Sequence, residues 1–575
     1  MLENPLGFGA ADFIAFALAA LLALAALIWS PFLRPHFVAL AARTRDCMII
    51  LAVLPVALRL LLLPNHPVPT PDIYDEFSHL LVADTLLHFR LANPPHALPQ
   101  FFETFFVLQQ PTYSSIYPPG QGLMLAAGRA LSRQPWTGVV LAIAALSSLC
   151  YWMLRGWTTP RWALAGGLLA VIEFGPLNTW MNSYWGGALP AAAGCLVFGA
   201  LPRLKASWRR RDALLLGIGL GINCMTRPFE SLLLMVSVTL FFAPALRHRG
   251  EAIKLAKALP YVLLATAPCL LLLLAQNKQV TGQWATLPEQ LSQYQYGIPT
   301  TLTVQNPATP HRELTPQQEL DYKAQALTHG LGADTLPRFF LRLEYRIRYY
   351  RFFFLPPLYI ALVAFLFTLR QPRIAWVVAT LILFALGTNL FPYLLPHYLA
   401  AVTSLFILIS VTGLRRLSEF AFAGKEAASI ILILCAAHFA FWYGLHLLER
   451  LHISSEAIQY ETWDAINHAG PQRRNEVANQ LAAHPGNQLI FVRYWPRHRF
   501  QDEWVWNAAD IDSSRIVMAR DRGTAENRKL RHYFPERAVW LLEPDAQPPK
   551  LTPYTADTPS PIAAPQPGGL FTDVK

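Results

Sequence analysis

Apolar runs long enough to cross a membrane recur along most of the first 450 residues of this 575-residue chain. A hydrocarbon layer of about 30 Å needs roughly 20 apolar residues in helical form. Apolar residues make up 54% of the sequence and charged residues only 14%, against about 25% in soluble domains. The sequence therefore predicts an all-α polytopic membrane protein rather than a single soluble core.

Twelve of these runs are predicted as transmembrane helices. Most of the basic residues behind the formal net charge of +11 lie in the short loops between the runs, which is the orientation signal of membrane proteins. Nucleic acid is therefore not an expected partner, and both chain ends are expected outside. The predicted spans are about 11–30, 47–63, 137–154, 162–178, 185–201, 212–226, 228–245, 258–277, 352–369, 374–391, 397–414 and 427–446.

The first long outer loop, predicted at 64–136, carries an acidic motif. Asp72, Asp75 and Glu76 fall within five residues in PTPDIYDEFSH, and His79 lies four residues after Asp75. In a helix that begins here, Asp75 and His79 share one face. A carboxylate that takes a proton from an acceptor hydroxyl needs a partner to orient it, and this spacing provides one. The alternative, in which the acidic residues only complement the dipole of the first helical turn, stays open.

Four further polar residues in or beside the predicted spans are candidates for function. Arg59, near the outer end of the second span, either reaches the membrane interface or pairs with the acidic loop. Arg227 lies in TRPFE at an outer hairpin turn, where it either binds an anion or rests at the interface. Glu173 lies inside a predicted span. An acid in that position is expected either to have a functional role or to face a polar cavity. His397 begins a later outer-facing helix.

The long outer segment at 281–351 ends in a predicted interfacial helix. Arg338, Arg342 and Arg346 repeat every four residues there among aromatic and aliphatic side chains, a pattern typical of helices that lie at a membrane surface. All six cysteines fall in apolar segments without disulfide or metal spacing.

From about residue 450 the composition becomes polar, and a small α/β domain outside the membrane is predicted at 448–545. The remaining tail, 546–575, is rich in Pro and Ala and is predicted to be disordered. The predicted strands are QLIFVRY (488–494), RIVMA (515–519) and AVWLLE (538–543), and the predicted helices are about 456–482 and 524–533.

Three motifs in this order resemble the GT-C glycosyltransferases. They are YDEFSH in an outer loop, Tyr-Pro-Pro at 117–119 and the basic-Pro turn at 227–228. GT-C enzymes span the membrane many times and take sugars from polyprenyl-phosphate carriers; the chain is similar to the protein O-mannosyltransferases, to the aminoarabinose transferase of lipid A and to bacterial family-39-like membrane proteins. The expected domains are an extra helix and cytoplasmic loop at 1–46, a GT-C-like module at 47–280, the outer loop at 281–351 and the last transmembrane helices at 352–447.

The resemblance implies roles for individual residues. Asp75 would be the base that acts on the acceptor, with Glu76 and His79 in support. Arg227 would hold the donor phosphate, with Arg59 as a second candidate, and a guanidinium suits this because it grips phosphate oxygens with two parallel bonds. The expected substrate contacts are Asp72, Tyr117, Glu173, Asn182 and His397.

One departure from the family concerns metal binding. Relatives of the aminoarabinose transferase carry an Asp in the outer loop that corresponds to 178–187, where this chain has Asn178, Asn182 and Ser183. Hard cations need oxygen ligands, so no cofactor is expected, although a divalent metal is not excluded.

The resulting hypothesis is an inverting sugar transfer from a polyprenyl-phosphate donor to a glycan, lipid or protein at the periplasmic face of a bacterial inner membrane. Two other classes stay open: a transporter or flippase of a lipid-linked substrate, and a non-catalytic envelope-assembly protein. Against transport, the sequence has no internal repeat with matched broken spans.

Overall fold

The computed structural model describes residues 10–422, 425–448 and 471–555, and it is mainly helical. The described residues form two compact units. The first comprises residues within 10–69, 118–273 and 335–448, and the second comprises residues within 70–117, 274–334 and 471–555.

The helices of the first unit follow the apolar runs of the sequence, and several begin at a proline, which favours the first helical turn. They are α1 (Ala10–Ala42), α2 (Thr44–Leu61), α4 (Pro119–Ser132), α5 (Trp136–Leu154), α6 (Pro160–Phe174), α7 (Ala188–Ser207), α8 (Arg210–Thr226), α9 (Pro228–Phe242), α10 (Arg249–Thr281, whose end enters the second unit), α13 (Leu336–Arg346), α14 (Leu358–Phe365), α15 (Pro372–Thr388), α16 (Thr403–Leu417) and α17 (Ala427–Leu448). The short strands β3 (Ala421–Phe422) and β4 (Lys425–Glu426) pair between α16 and α17.

The chain is a multi-pass membrane protein. Among the described residues, six helices are long and apolar enough to cross a bilayer, and a bent pair would make a seventh. The number twelve stays a prediction, because several helices over the predicted spans, such as α6 and α15, are shorter. Two predicted boundaries are wrong: α1 continues through the predicted loop to Ala42, and the predicted span at 352–369 is broken by a bend of 117° between Leu336–Phe353 and Leu358–Thr368.

Glycines let the helices of the first unit approach closely. A Cβ added at Gly194 would lie 1.9 Å from the carbonyl oxygen of Ala401, and one added at Gly413 would lie 1.9 Å from that of Ala361. Small residues at such contacts are the usual means of packing helices where lipid removes the hydrophobic driving force.

The predicted interfacial helix is present as α13, but its last arginine is not at a surface. Arg346 is 4% exposed, and its guanidinium donates to the carbonyl oxygens of Thr388, Phe391 and Pro392 and to the side chain of Asn389, at 2.7–3.2 Å. These acceptors lie at and just beyond the C-terminus of α15, where carbonyl groups have no helical partner. The sequence interpretation of Arg346 as interfacial is therefore wrong, since its guanidinium is buried and binds the carbonyl groups at the end of α15.

The second unit contains the predicted α/β domain together with the outer segments. Its elements are α3 (Tyr74–Leu87), β1 (Val107–Leu108), β2 (Ser114–Ser115), α11 (Pro288–Tyr296), α12 (Pro316–His329), α18 (Pro471–Ala483), β5 (Gln488–Val492), β6 (Ile516–Arg520), α19 (Thr524–Tyr533), β7 (Ala538–Glu543) and β8 (Lys550–Pro553).

The C-terminal sheet has the order β6-β5-β7-β8, with β6, β5 and β7 parallel and β8 antiparallel to β7. Every residue of the central strand β5 is buried, as its continuous apolar sequence predicts. The three predicted strands are confirmed. The predicted tail begins too early, because 550–553 form β8, while the predicted helical residues 456–470 and the end of the tail lie outside the described residues.

The predicted C-terminal domain buries both faces of its sheet. One face has a cluster of the domain's own residues, in which Leu481 packs with Ile490 and Leu542. The other face shares an apolar cluster with the outer segment, in which Phe101 and Tyr113 pack with Leu489, Phe491 and Phe534. Residues 70–117 and 471–555 belong to one compact unit, and the domain at 448–545 stays a prediction.

Phe491→Ala tests this shared core. Phe491 is fully buried and its ring lies 6.4 Å from that of Phe101, so truncation should cost about 3–5 kcal/mol of stability. Hydrogen exchange should accelerate in residues 98–113 as well as in β5. Trp495→Ala is the control, because Trp495 is 45% exposed. Faster exchange in the sheet alone would contradict a common core.

Candidate active site

Asp75 lies in the first turn of α3 and is hydrogen-bonded to a tyrosine of the second motif. The Tyr117 hydroxyl donates to Oδ1 of Asp75, and Asp75 as a whole is 8% exposed. The two motifs that the sequence analysis singled out are therefore in direct contact, although 42 residues separate them. Tyr117 occupies the orienting position beside the carboxylate that the spacing assigned to His79.

His79 contributes to the same cluster by stacking. Its ring lies 4.1 Å from the ring of Tyr117, at an interplanar angle of 23°, one helical turn beyond Asp75. Tyr117 is also fixed through its backbone, because its N–H donates to Ser115 Oγ at 3.0 Å and its carbonyl accepts from Gln276 Nε2 at 3.1 Å. These contacts hold the tyrosine ring and, through its hydroxyl, the orientation of the Asp75 carboxylate.

Glu76 caps the start of α3. Its Oε2 accepts the backbone N–H groups of Asp72 at 2.8 Å and Ile73 at 3.4 Å, which satisfies donors that the first helical turn leaves without a partner. The sequence analysis left open that the acids only support the first helical turn, which we call the capping alternative, and this contact of Glu76 agrees with it. The adjacent acid, Asp75, accepts a hydrogen bond from the Tyr117 side chain. A catalytic role for Glu76 and a substrate contact for Asp72 stay predictions.

A further carboxyl, which the sequence analysis did not single out, interacts with Asp75. Asp321 on α12 is 3% exposed and accepts a hydrogen bond from Gln325 Nε2 at 2.8 Å. Burial and, to a smaller extent, the negative charge of Asp75 raise the pKa of Asp321 from 3.8 to about 7, against the opposing effect of Gln325. In the sequence, Asp321 is one acid in a short, polar amphipathic segment. Many surface helices have this pattern, so it does not identify Asp321 as a site residue.

In the first unit, Arg59 is a buried residue. It is 1% exposed; Nε donates to Asn182 Oδ1 at 2.7 Å, and the two Nη groups donate to the carbonyl oxygens of His66 and Pro67 at 2.9 and 3.0 Å. The guanidinium also lies 5.0 Å from the centre of the Trp136 ring. The alternative that Arg59 reaches the membrane interface is wrong, while donor binding by Arg59 and substrate binding by Asn182 stay predictions.

Arg227 and His397 belong to one aromatic cluster of the first unit. The Arg227 guanidinium lies 4.9 Å from the centre of the Tyr398 ring and 3.5 Å from Oε1 of Glu230. The His397 ring packs edge-on against Tyr398 at 4.8 Å and lies 5.0 Å from Trp185. Arg227 keeps 20% of its side chain exposed, which leaves part of a held cation accessible to an anionic ligand.

Glu173 lies near the C-terminus of α6 and is 2% exposed. Its backbone carbonyl accepts from Asn178 Nδ2 at 2.9 Å, and its predicted substrate contact stays a prediction. Among the residues that the structure describes, no group of three or more His, Cys, Asp or Glu side chains is placed to hold a metal ion. Asn182 Nδ2 likewise donates to the carbonyl of Pro176, and Ser183 Oγ donates to that of Thr179.

Comparison with known proteins finds similarity in structure alone. No protein-family model and no curated protein matches the chain. ArnT from Cupriavidus metallidurans in the apo state aligns with 85% of this chain and 92% of its own, with 13% identity and a TM-score of 0.47. The same protein bound to undecaprenyl phosphate gives a TM-score of 0.44 over 78% and 83% of the two chains, at 13% identity.

The oligosaccharyltransferase of Archaeoglobus fulgidus in the apo form also aligns, with a TM-score of 0.36 and 13% identity over 79% of this chain and 62% of its own. At such identities and TM-scores, the likenesses do not by themselves assign an activity to the chain.

Asp321→Asn tests the burial of that carboxyl. Above pH 3.8 the unfolded chain loses the proton, whereas the folded chain keeps it until about pH 7, so this group lowers stability as the pH rises through that window. Asn keeps the acceptor for Gln325 without a charge. At pH 8 the variant should therefore unfold at a higher temperature than the wild type, by about 2–4 °C for each kcal/mol removed, and the difference should shrink at pH 5. An equal difference at both pH values would contradict the shifted pKa.

Proposed function

We propose that the chain is a membrane glycosyltransferase that moves a sugar from a polyprenyl-phosphate donor to an acceptor at the periplasmic face of a bacterial inner membrane. The observation that carries the proposal is the hydrogen bond from Tyr117 to the buried Asp75 carboxylate. This carboxylate is the one to which the sequence resemblance assigns the role of base, and the hydroxyl that fixes it comes from the second motif of the same resemblance.

The reaction is a single displacement with inversion. The acceptor oxygen attacks the anomeric carbon of the sugar, its proton passes to Asp75, and the bond from that carbon to the phosphate oxygen breaks. Polyprenyl phosphate leaves with the bonding electron pair and is a stable leaving group. Catalysis therefore depends mainly on orientation of the acceptor and on stabilisation of charge, and the Tyr117 hydrogen bond serves the first of these by fixing the base.

Arg227 is the proposed phosphate ligand. Its guanidinium is held by Tyr398 and Glu230, yet part of it stays exposed. A cation fixed in this way loses little side-chain entropy when it binds an anion, and its planar fork suits two phosphate oxygens. The distance of 3.5 Å to Glu230 is longer than the 2.7–2.9 Å of a charge-assisted hydrogen bond, so N–H groups of Arg227 remain to donate to a phosphate.

Asp75→Asn is the decisive test of the enzyme hypothesis. Asn has nearly the same shape and suits the first turn of a helix, so the protein should fold and insert while turnover falls about 10²–10⁴-fold. Donor binding should survive. Transfer from a polyprenyl-phosphate sugar by purified protein measures both, and Glu319→Gln, an exposed carboxylate of the same unit that pairs with Lys323, is the matched control.

The capping alternative gives a different pattern. If the acids of this turn act only through the helix dipole, Asp75→Asn and Glu76→Gln should both keep near-normal transfer and lose at most about 1 kcal/mol of stability. A stable and active Asp75→Asn protein would remove the catalytic assignment. Uptake of a lipid-linked substrate by the wild-type protein, without transfer, would favour the transporter class instead.

Arg227→Ala should weaken donor binding by about 1.5–3 kcal/mol, or roughly 10- to 150-fold in Kd, because a charge-assisted contact to phosphate is lost. Arg227→Lys should recover part of the affinity, since the charge remains without the fork. The control is Arg416→Ala, which breaks another arginine–glutamate pair of i,i+3 spacing in the same unit. Equal donor affinity in wild type and Arg227→Ala would return Arg227 to a structural role.

A further inference from the structure

The C-terminal α/β segment reaches the start of the helix that carries Asp75. Arg474 lies on α18, and its Nη2 donates to the backbone carbonyl of Asp72 at 3.0 Å. Its Nε lies 3.9 Å from Oδ1 of the same aspartate. The guanidinium is also held by its own segment, because the two hydrogens of Nη2 are shared between the Asp72 carbonyl and two further acceptors, Asp502 Oδ1 and the Glu503 carbonyl, each at 2.8 Å.

The peptide at the start of α3 is therefore held on both sides. Glu76 accepts the N–H of Asp72, and Arg474 donates to the carbonyl of the same residue. Asp75 follows three residues later, in the first helical turn. First turns fray readily, because their N–H groups lack helical partners. These two contacts oppose such fraying immediately before the proposed base.

The helix is also held along its side by aromatic contacts. Phe77 is 4% exposed, with the Arg474 guanidinium 4.9 Å from its ring centre and the Trp506 indole stacked on it at 4.9 Å and 21°. Further along, the backbone N–H of Ala509 donates to Asp84 Oδ2 at 2.7 Å. The C-terminal segment thus contacts α3 from its first residues nearly to its end.

We propose that Arg474 is a positioning residue for Asp75, so that the C-terminal segment sets the geometry of the base in addition to completing the fold. The proposal rests on the proposed function, in which Asp75 takes the acceptor proton. Arg474 itself touches neither reacting group. Its effect is exerted through the backbone of Asp72 and the ring of Phe77, and a base displaced by about 1 Å can lose roughly 10²-fold in rate.

The neighbouring Arg473 provides a matched control. It lies on the same helix, donates to the other oxygen of Asp502 at 3.2 Å and to the Pro544 carbonyl at 2.6 Å, and is 44% exposed. Arg473→Gln removes the same charge from the same helix. The hydrogen-bond partners of Arg473, Asp502 and Pro544, lie in the C-terminal segment and not on α3.

The experiment compares Arg474→Gln, Arg474→Lys and Arg473→Gln in the full-length protein. Arg474→Gln should lower kcat about 10- to 100-fold with the KM for a polyprenyl-phosphate sugar unchanged, since donor binding is not touched. Arg474→Lys should recover part of kcat. Arg473→Gln should keep kcat near the wild-type value. Equal kcat values for Arg474→Gln and Arg473→Gln would overturn the proposal.

Hydrogen exchange separates this proposal from the proposed function. Without any substrate, Arg474→Gln should accelerate exchange in residues 74–79 while β5 stays protected, which shows that the unit remains folded. Unchanged exchange in 74–79 would overturn the positioning role even if activity fell. If instead Asp75→Asn kept full activity, the proposed function would fail, and the exchange result would still report whether Arg474 fixes the start of α3.

Discussion

The second unit depends on an apolar core that two distant parts of the chain build together. The outer segment contributes Leu81, Phe101 and Tyr113, and the C-terminal sheet contributes the buried face of β5 and its neighbours. Because α3 packs into this core, the position of Asp75 follows from it, and so do the contacts of Arg474 and Ala509 with the same helix.

A second feature of the structure is that buried arginines donate hydrogen bonds to backbone carbonyl groups beyond the C-termini of helices. Arg59 binds the carbonyl oxygens of His66 and Pro67 just beyond α2, and Arg346 binds those at and after the end of α15. In each case a guanidinium, with five donors in a fixed plane, satisfies several acceptors at once. Arg227 differs, because its guanidinium lies beside one carboxylate and one aromatic ring, and part of its side chain remains exposed.

The features that could be predicted from the sequence are those set by local pattern. The strands at 488–494, 515–519 and 538–543 follow from short β-branched and aromatic runs, and α3 follows from an acidic first turn. The make-up of the second unit could not be predicted, because it depends on packing between 70–117 and 471–555. The partners of Arg346 and the interaction of Asp321 with Asp75 could not be predicted either. A charge pattern along one helix does not show which residues of other elements pack against that helix.

The shared core has a consequence for how the protein is made. The ribosome synthesises residues 70–117 more than 350 residues before residues 471–555, so the segment that carries Asp75 exists for that time without the sheet that buries its apolar side. Contacts of such large sequence separation form late, since a long chain must close before they are gained. The acidic helix therefore acquires its final surroundings only when the last strands have emerged, and a nascent or truncated chain holds an unfinished version of it.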